Sequence, residues 1–72
     1  MAEEIVRTIE HPLGLKRVIV VRRFDGRFTY RWQERRGRGW GAASIDAGVY
    51  DSADTAEAEA RQREPWLKTM FH

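Results

Sequence analysis

A chain of 72 residues has room for one small domain with one thin core, which excludes a second domain and argues against a roomy interior cleft. Hydrophobic residues at 42% against 33% charged, with eight aromatics and no cysteine, suit a folded soluble domain and leave no disulfide framework or thiolate metal site. The net charge of +2 is unevenly spread: residues 16–38 carry nine Lys and Arg against Asp25 and Glu34, an excess of +7, whereas residues 51–64 carry an excess of −3.

In chain order, Glu4–Glu10 holds the β-branched Ile5, Val6, Thr8 and Ile9 and reads as a first strand, without deciding which face is buried. His11-Pro12-Leu13-Gly14 supplies the turn into a second strand. The strongest local signal is Asp25-Gly26, a pair suited to a two-residue type I′ turn, which folds residues 18–33 into a hairpin. That register sets Val21 opposite Tyr30 and Ile19 opposite Trp32. It gathers Ile19, Val21, Phe28, Tyr30 and Trp32 on a core face with Arg23 as an intruder, and leaves Val18, Val20, Arg22, Phe24, Arg27, Thr29, Arg31 and Gln33 on the other.

Three glycines within residues 35–41 predict a flexible loop. A short strand, Gly48-Val49-Tyr50, then leads to Asp51 or Ser52 as helix cap. The helix starts near Ala53, shows an alanine face at Ala53, Ala56 and Ala60, and stops at Glu64 before Pro65. Trp66, Leu67, Met70 and Phe71 either close the core or form a contact surface. The expected fold is α+β: a single domain over residues 1–72, with a three- to four-stranded antiparallel meander and one C-terminal helix packed on one face.

Nucleophilic hydrolysis needs a serine or cysteine beside an activating histidine, and the only histidines are His11 in a turn and His72 at the end. Two histidines fall short of a metal site, and the glycines at 37–41 lead to no phosphate-cradling lysine motif. The expectation is therefore a non-catalytic binding module without cofactor or metal. Its apolar runs are too short for a membrane helix and its first residues are acidic, which makes a cytoplasmic location the default expectation.

The feature above background is the arginine row. Arg22, Arg27 and Arg31 are expected side by side on the outer sheet face, with Lys16, Arg17, Arg35, Arg36 and Arg38 at the strand ends, spaced to meet successive phosphates. A one-sided sheet also needs a polar outer face, and arginine stems can cover Val18 and Val20 without any ligand. Trp40 among glycines and arginines either stacks on a base or folds back on the core.

The order hairpin, strand ending Gly48-Val49-Tyr50-Asp51-Ser52-Ala53, and alanine-faced helix through Ala56, Ala58 and Ala60 resembles the DNA-binding domain of plant ethylene-response factors. It is also similar to the arm-site-binding domain of tyrosine recombinases. The resemblance covers roughly residues 16–63. It implies a three-stranded sheet lying in the major groove, with Arg22, Arg27, Arg31 and Arg17 as contacting positions. The added strand at residues 5–9, the core-face Trp32 and the long glycine-rich loop depart from that family. Nucleic-acid binding is thus the first functional expectation. The alternative is a protein-interaction or self-associating domain that docks a protein partner or a second copy through residues 66–71 or an open sheet edge.

Overall fold

The structure is a computed structural model and describes residues 3–64, so the apolar segment Trp66–Phe71 lies outside the described residues. Four antiparallel strands follow one another in the order of the chain: β1 Glu4–Glu10, β2 Lys16–Arg22, β3 Phe28–Arg36 and β4 Gly39–Trp40. One helix, α1 Ala53–Arg63, packs on β2 and β3. The α+β meander expected from the sequence is what forms. No helix among the described residues is long and apolar enough to cross a membrane.

The central hairpin forms one register step away from the expected one. Arg22 faces Phe28, Val20 faces Tyr30 and Val18 faces Trp32. The loop has three residues, Phe24-Asp25-Gly26. The Gly26 N–H donates to Arg23 O at 3.0 Å, the Arg23 N–H donates to Arg27 O at 2.7 Å, and Gly26 takes φ +84°. This is a type I turn closed by a glycine in the left-handed region, the usual three-residue hairpin connection. Asp25 reinforces it by accepting from the Arg27 N–H at 3.0 Å.

A slip of one residue turns the side chains of one strand over relative to the other. The helix face therefore carries Val18 and Val20 from β2, not Ile19 and Val21, together with Tyr30 and Phe28 from β3 as expected. Ala56 and Ala60 are fully buried against these residues, and Ala53 packs beside them. Alanine at these positions lets the helix backbone lie close to Tyr30, whose ring stacks on Tyr50 at 6.3 Å. Trp32 shares this face but sits at its rim, 39% exposed. Ile19 and Val21 are also buried, on the side away from the helix.

In β1 an extra residue between Ile5 and Arg7 breaks the pairing with β2. The bulge reverses the alternation, so Ile9 packs on the helix-side core while Ile5 faces Val21 and stays exposed. The expected loop at residues 35–41 is instead a hairpin: Arg36 pairs with Gly39, and Gly37 at φ +59° begins the two-residue turn, as type II′ requires.

Beyond Trp40 the chain stays against β3 but gains length on it. Gly41 bonds to Glu34, Ser44 to Trp32, Ala47 to Tyr30 and Tyr50 to Phe28, so three residues of the returning chain meet each two of β3. Repeated surplus residues curl the edge and leave only the bridge at Tyr50 where a strand at residues 48–50 was expected. The Tyr50 ring lies on Gly48, where a Cβ would come within 2.7 Å of its oxygen.

Ser52 caps α1 by accepting from the Thr55 N–H at 3.1 Å, and Glu64 ends it in extended conformation. The acidic helix face makes local pairs, Glu57 with Arg61 and Glu59 with Arg63. It also reaches the sheet, since Arg7 on β1 bonds Glu57 at 3.2 Å and Asp54 at 2.6 Å. Arg61 first, and then Arg7, hold the Glu57 carboxyl below its ordinary value of 4.5 against the opposing effect of burial. A depressed folded-state pKa contributes stability that is complete above the ordinary carboxylate range and is lost as pH falls through the folded value. Glu57→Gln is expected to flatten the acid side of the stability profile, read as melting temperature between about pH 6 and pH 3. An acid limb unchanged from the parent chain would refute that latch.

Candidate nucleic-acid interface

Hairpin register decides where each arginine goes. Arg22 stands on the helix-side alternation and Arg31 on the opposite one, so Arg22, Arg27 and Arg31 form no row. Each also has its own environment. Arg22 is ion-paired with Glu4, its partner across β1 and β2. Arg31 bonds Asp46 at 2.6 Å and Glu3 at 2.9 Å, and hydrogen bonding to Glu3 and then Asp46 raises its pKa. Arg23 shares Asp46 at 3.8 Å. Arg27 is exposed beside the hairpin turn, at the end of the sheet away from Arg17, Arg36 and Arg38.

The partners of Arg31 are 15 and 28 residues away in sequence, brought there by the curled edge and by the residue preceding β1. Arg7, Arg61 and Arg63 are likewise each paired with a carboxylate. The middle of the sheet is therefore close to charge balance despite its arginine content.

The opposite holds at one end of the sheet. Antiparallel pairing brings the start of β2 next to the end of β3 and to β4, which places Lys16, Arg17, Arg35, Arg36 and Arg38 in one neighbourhood. None of these five has a carboxylate within 4.0 Å among the described residues. Glu34 and Glu10 stand opposite Lys16 and Arg17 in register but form no ion pair with them. Five cations against two carboxylates leave this end at +3.

Trp40 organises the group. The Arg17 and Arg35 guanidinium carbons lie 4.4 and 4.6 Å from its ring centroid, well inside cation–π range. Polar bonds fix both arginines: Arg17 Nε donates to Gln33 Oε1 at 2.7 Å, Gln33 Nε2 donates to Gly41 O at 3.0 Å, and Arg35 Nε donates to Gly14 O at 3.1 Å. The Trp40 ring thus lies on the arginines of its own sheet, away from the Tyr30 core, and keeps partial exposure. Lys16, Arg36 and Arg38 are exposed around it.

The sequence set Lys16, Arg17, Arg35, Arg36 and Arg38 at the strand ends and named Arg17, Arg36 and Arg38 as contacts, without setting this end apart from Arg22, Arg27 and Arg31. The available signal was that all five flank the two turns at one end of a meander. Comparison with protein-family descriptions, with curated proteins and with solved structures finds nothing that matches this chain.

Proposed function

We propose that the domain binds single-stranded nucleic acid by its backbone, at the sheet end formed by Lys16, Arg17, Arg35, Arg36 and Arg38 around Trp40. The supporting observation is the contrast in charge pairing: Arg7, Arg22, Arg23, Arg31, Arg61 and Arg63 have carboxylate partners, while these five cations have none among the described residues and Arg27, the other arginine without one, stands alone at the far end of the sheet. An unpaired guanidinium exchanges water and counterions for a phosphate, whereas a paired one must first give up a carboxylate. Major-groove reading through the sheet face, which the resemblance to ethylene-response factors implies, would use Arg22 and Arg31, both already occupied. A hairpin tip carrying cations beside a partly exposed indole suits a flexible strand, whose bases can turn toward an aromatic ring.

Fluorescence anisotropy with a labelled twelve-nucleotide single strand tests the reading. The expected plot of log affinity against log salt falls with a slope of roughly −2 to −3.5, about −0.7 for each of three to five phosphate contacts. Absence of binding at about 50 mM salt would overturn it. A second reading is favoured by the outer edge of β1, where Ile5 and Val6 are 56% and 37% exposed: addition of a partner's strand to that edge. Sedimentation at rising concentration separates self-association of that kind from binding by a monomer.

A further inference from the structure

On the helix side of the same sheet end lies a cavity of about 210 Å³, lined by Trp32, Glu34, Arg36, Gly41, Ala42 and Ser44. Its origin is the curled edge. Trp32, Glu34 and Arg36 alternate along β3 and so share one face, while the returning chain bonds to β3 at Gly41 and next at Ser44, with two alanines between. The gap is walled on that side by small side chains only. The Arg36 side chain lies close over Gly41, where a Cβ would come within 3.1 Å of its Nε and 3.2 Å of its Cγ.

The lining combines three different chemistries. Trp32 offers an indole that is 39% exposed although it belongs to the core face. Glu34 offers a carboxylate with no hydrogen bond or ion pair among the described residues. Arg36 is a cation without a carboxylate partner among the described residues, and it joins the cavity to the cluster around Trp40. The volume is below the roughly 300–1,000 Å³ of pockets for drug-sized ligands and suits one planar ring system.

We infer that this cavity receives one unpaired guanine base of the bound strand, an inference that rests on the nucleic-acid reading above. Stacking on Trp32 would admit any base. Glu34 supplies the selection, because an ionised carboxylate only accepts hydrogen bonds and guanine alone presents two adjacent donors, N1–H and N2–H, on its Watson–Crick edge. Adenine and cytosine set an acceptor nitrogen beside their amino group, and thymine flanks its single N–H with carbonyls, so each meets the carboxylate with a repulsive contact. Arg36 takes the phosphate of the same nucleotide.

The test uses four thymine nonamers whose central base is guanine, adenine, cytosine or thymine, titrated against the full chain at about 100 mM salt. The guanine nonamer is expected to bind about tenfold more tightly than the other three, within the range of one bidentate base contact. Glu34→Gln is expected to remove that preference while the all-thymine nonamer keeps its affinity or gains slightly. Equal affinity for the four nonamers, or a guanine preference that survives Glu34→Gln, overturns the base pocket and leaves backbone binding standing. Absence of affinity for all four overturns both.

Discussion

Tyr30→Ala is expected to lower the free energy of unfolding by about 3–5 kcal/mol, the range for truncating a large buried aromatic ring. For 72 residues the whole stability is of the order of 4–11 kcal/mol, so the variant sits near the limit of folding. The effect is this large because the core is small. Tyr30 is 2% exposed, lies opposite Val20 in the hairpin, stacks on Tyr50 and supports the alanine face of α1. The helix adds only the short side chains of Ala56 and Ala60 to the fully buried cluster, so α1 offers nothing that reaches into the space left behind. Trp32→Ala, at the exposed rim of the same face, is expected to cost less than half as much. Urea unfolding of both variants checks the order, and a Tyr30→Ala cost below that of Trp32→Ala would refute the core described here.

The parts of this fold that could be read from the sequence are those in which local chemistry has one solution. Ser52, the alanine spacing and Pro65 leave one place for a helix to start and stop, and it lies there up to Glu64, the last described residue. The existence of the central hairpin is equally plain, but its register is not. Phe24-Asp25-Gly26 fits both a two-residue and a three-residue loop, and the choice between them rests on the strands. In β3, aromatic and polar residues alternate, so its core face was legible. In β2 all four of Val18, Ile19, Val20 and Val21 are apolar and all are buried, so alternation there carries no information about the register. The expected register was wrong by one residue, and that error put Arg22 on the same face as Arg31, whereas the observed register sets them on opposite faces.

The candidate site was partly legible for a similar reason. Charge along the sequence located the basic segment, and the turn residues located the end of the sheet where Lys16, Arg17, Arg35, Arg36 and Arg38 meet. Ion pairing was not visible, because Glu3 and Asp46 reach Arg31 across the fold. The same holds for the cavity beside Trp32. Its opening depends on surplus residues along β3, and such bulges leave no period of two in the sequence.

The combined variant Arg17→Ala, Arg36→Ala, Arg38→Ala carries the largest expected effect on binding. Each phosphate contact contributes about −0.7 to the salt slope on a single strand, which at about 100 mM salt corresponds to roughly fivefold in affinity. Three contacts together amount to about a hundredfold, with the slope reduced by about 2. Arg36 and Arg38 are exposed and outside the core, so their loss leaves folding intact. Arg17 also supports Trp40, and a melting curve reports any loosening of that contact.

The matched control is Arg22→Ala, Arg31→Ala, which removes two cations instead of three and takes both from the positions that a sheet-face site would use. Anisotropy titration of the triple and double variants beside the parent chain, with one single-stranded oligonucleotide at one salt concentration, tests the placement of the interface most directly. The sheet-end interface predicts about a hundredfold loss for the triple variant and a change within about twofold for the double variant. Loss of affinity in the double variant with little change in the triple would contradict it and return the binding surface to the face of the sheet.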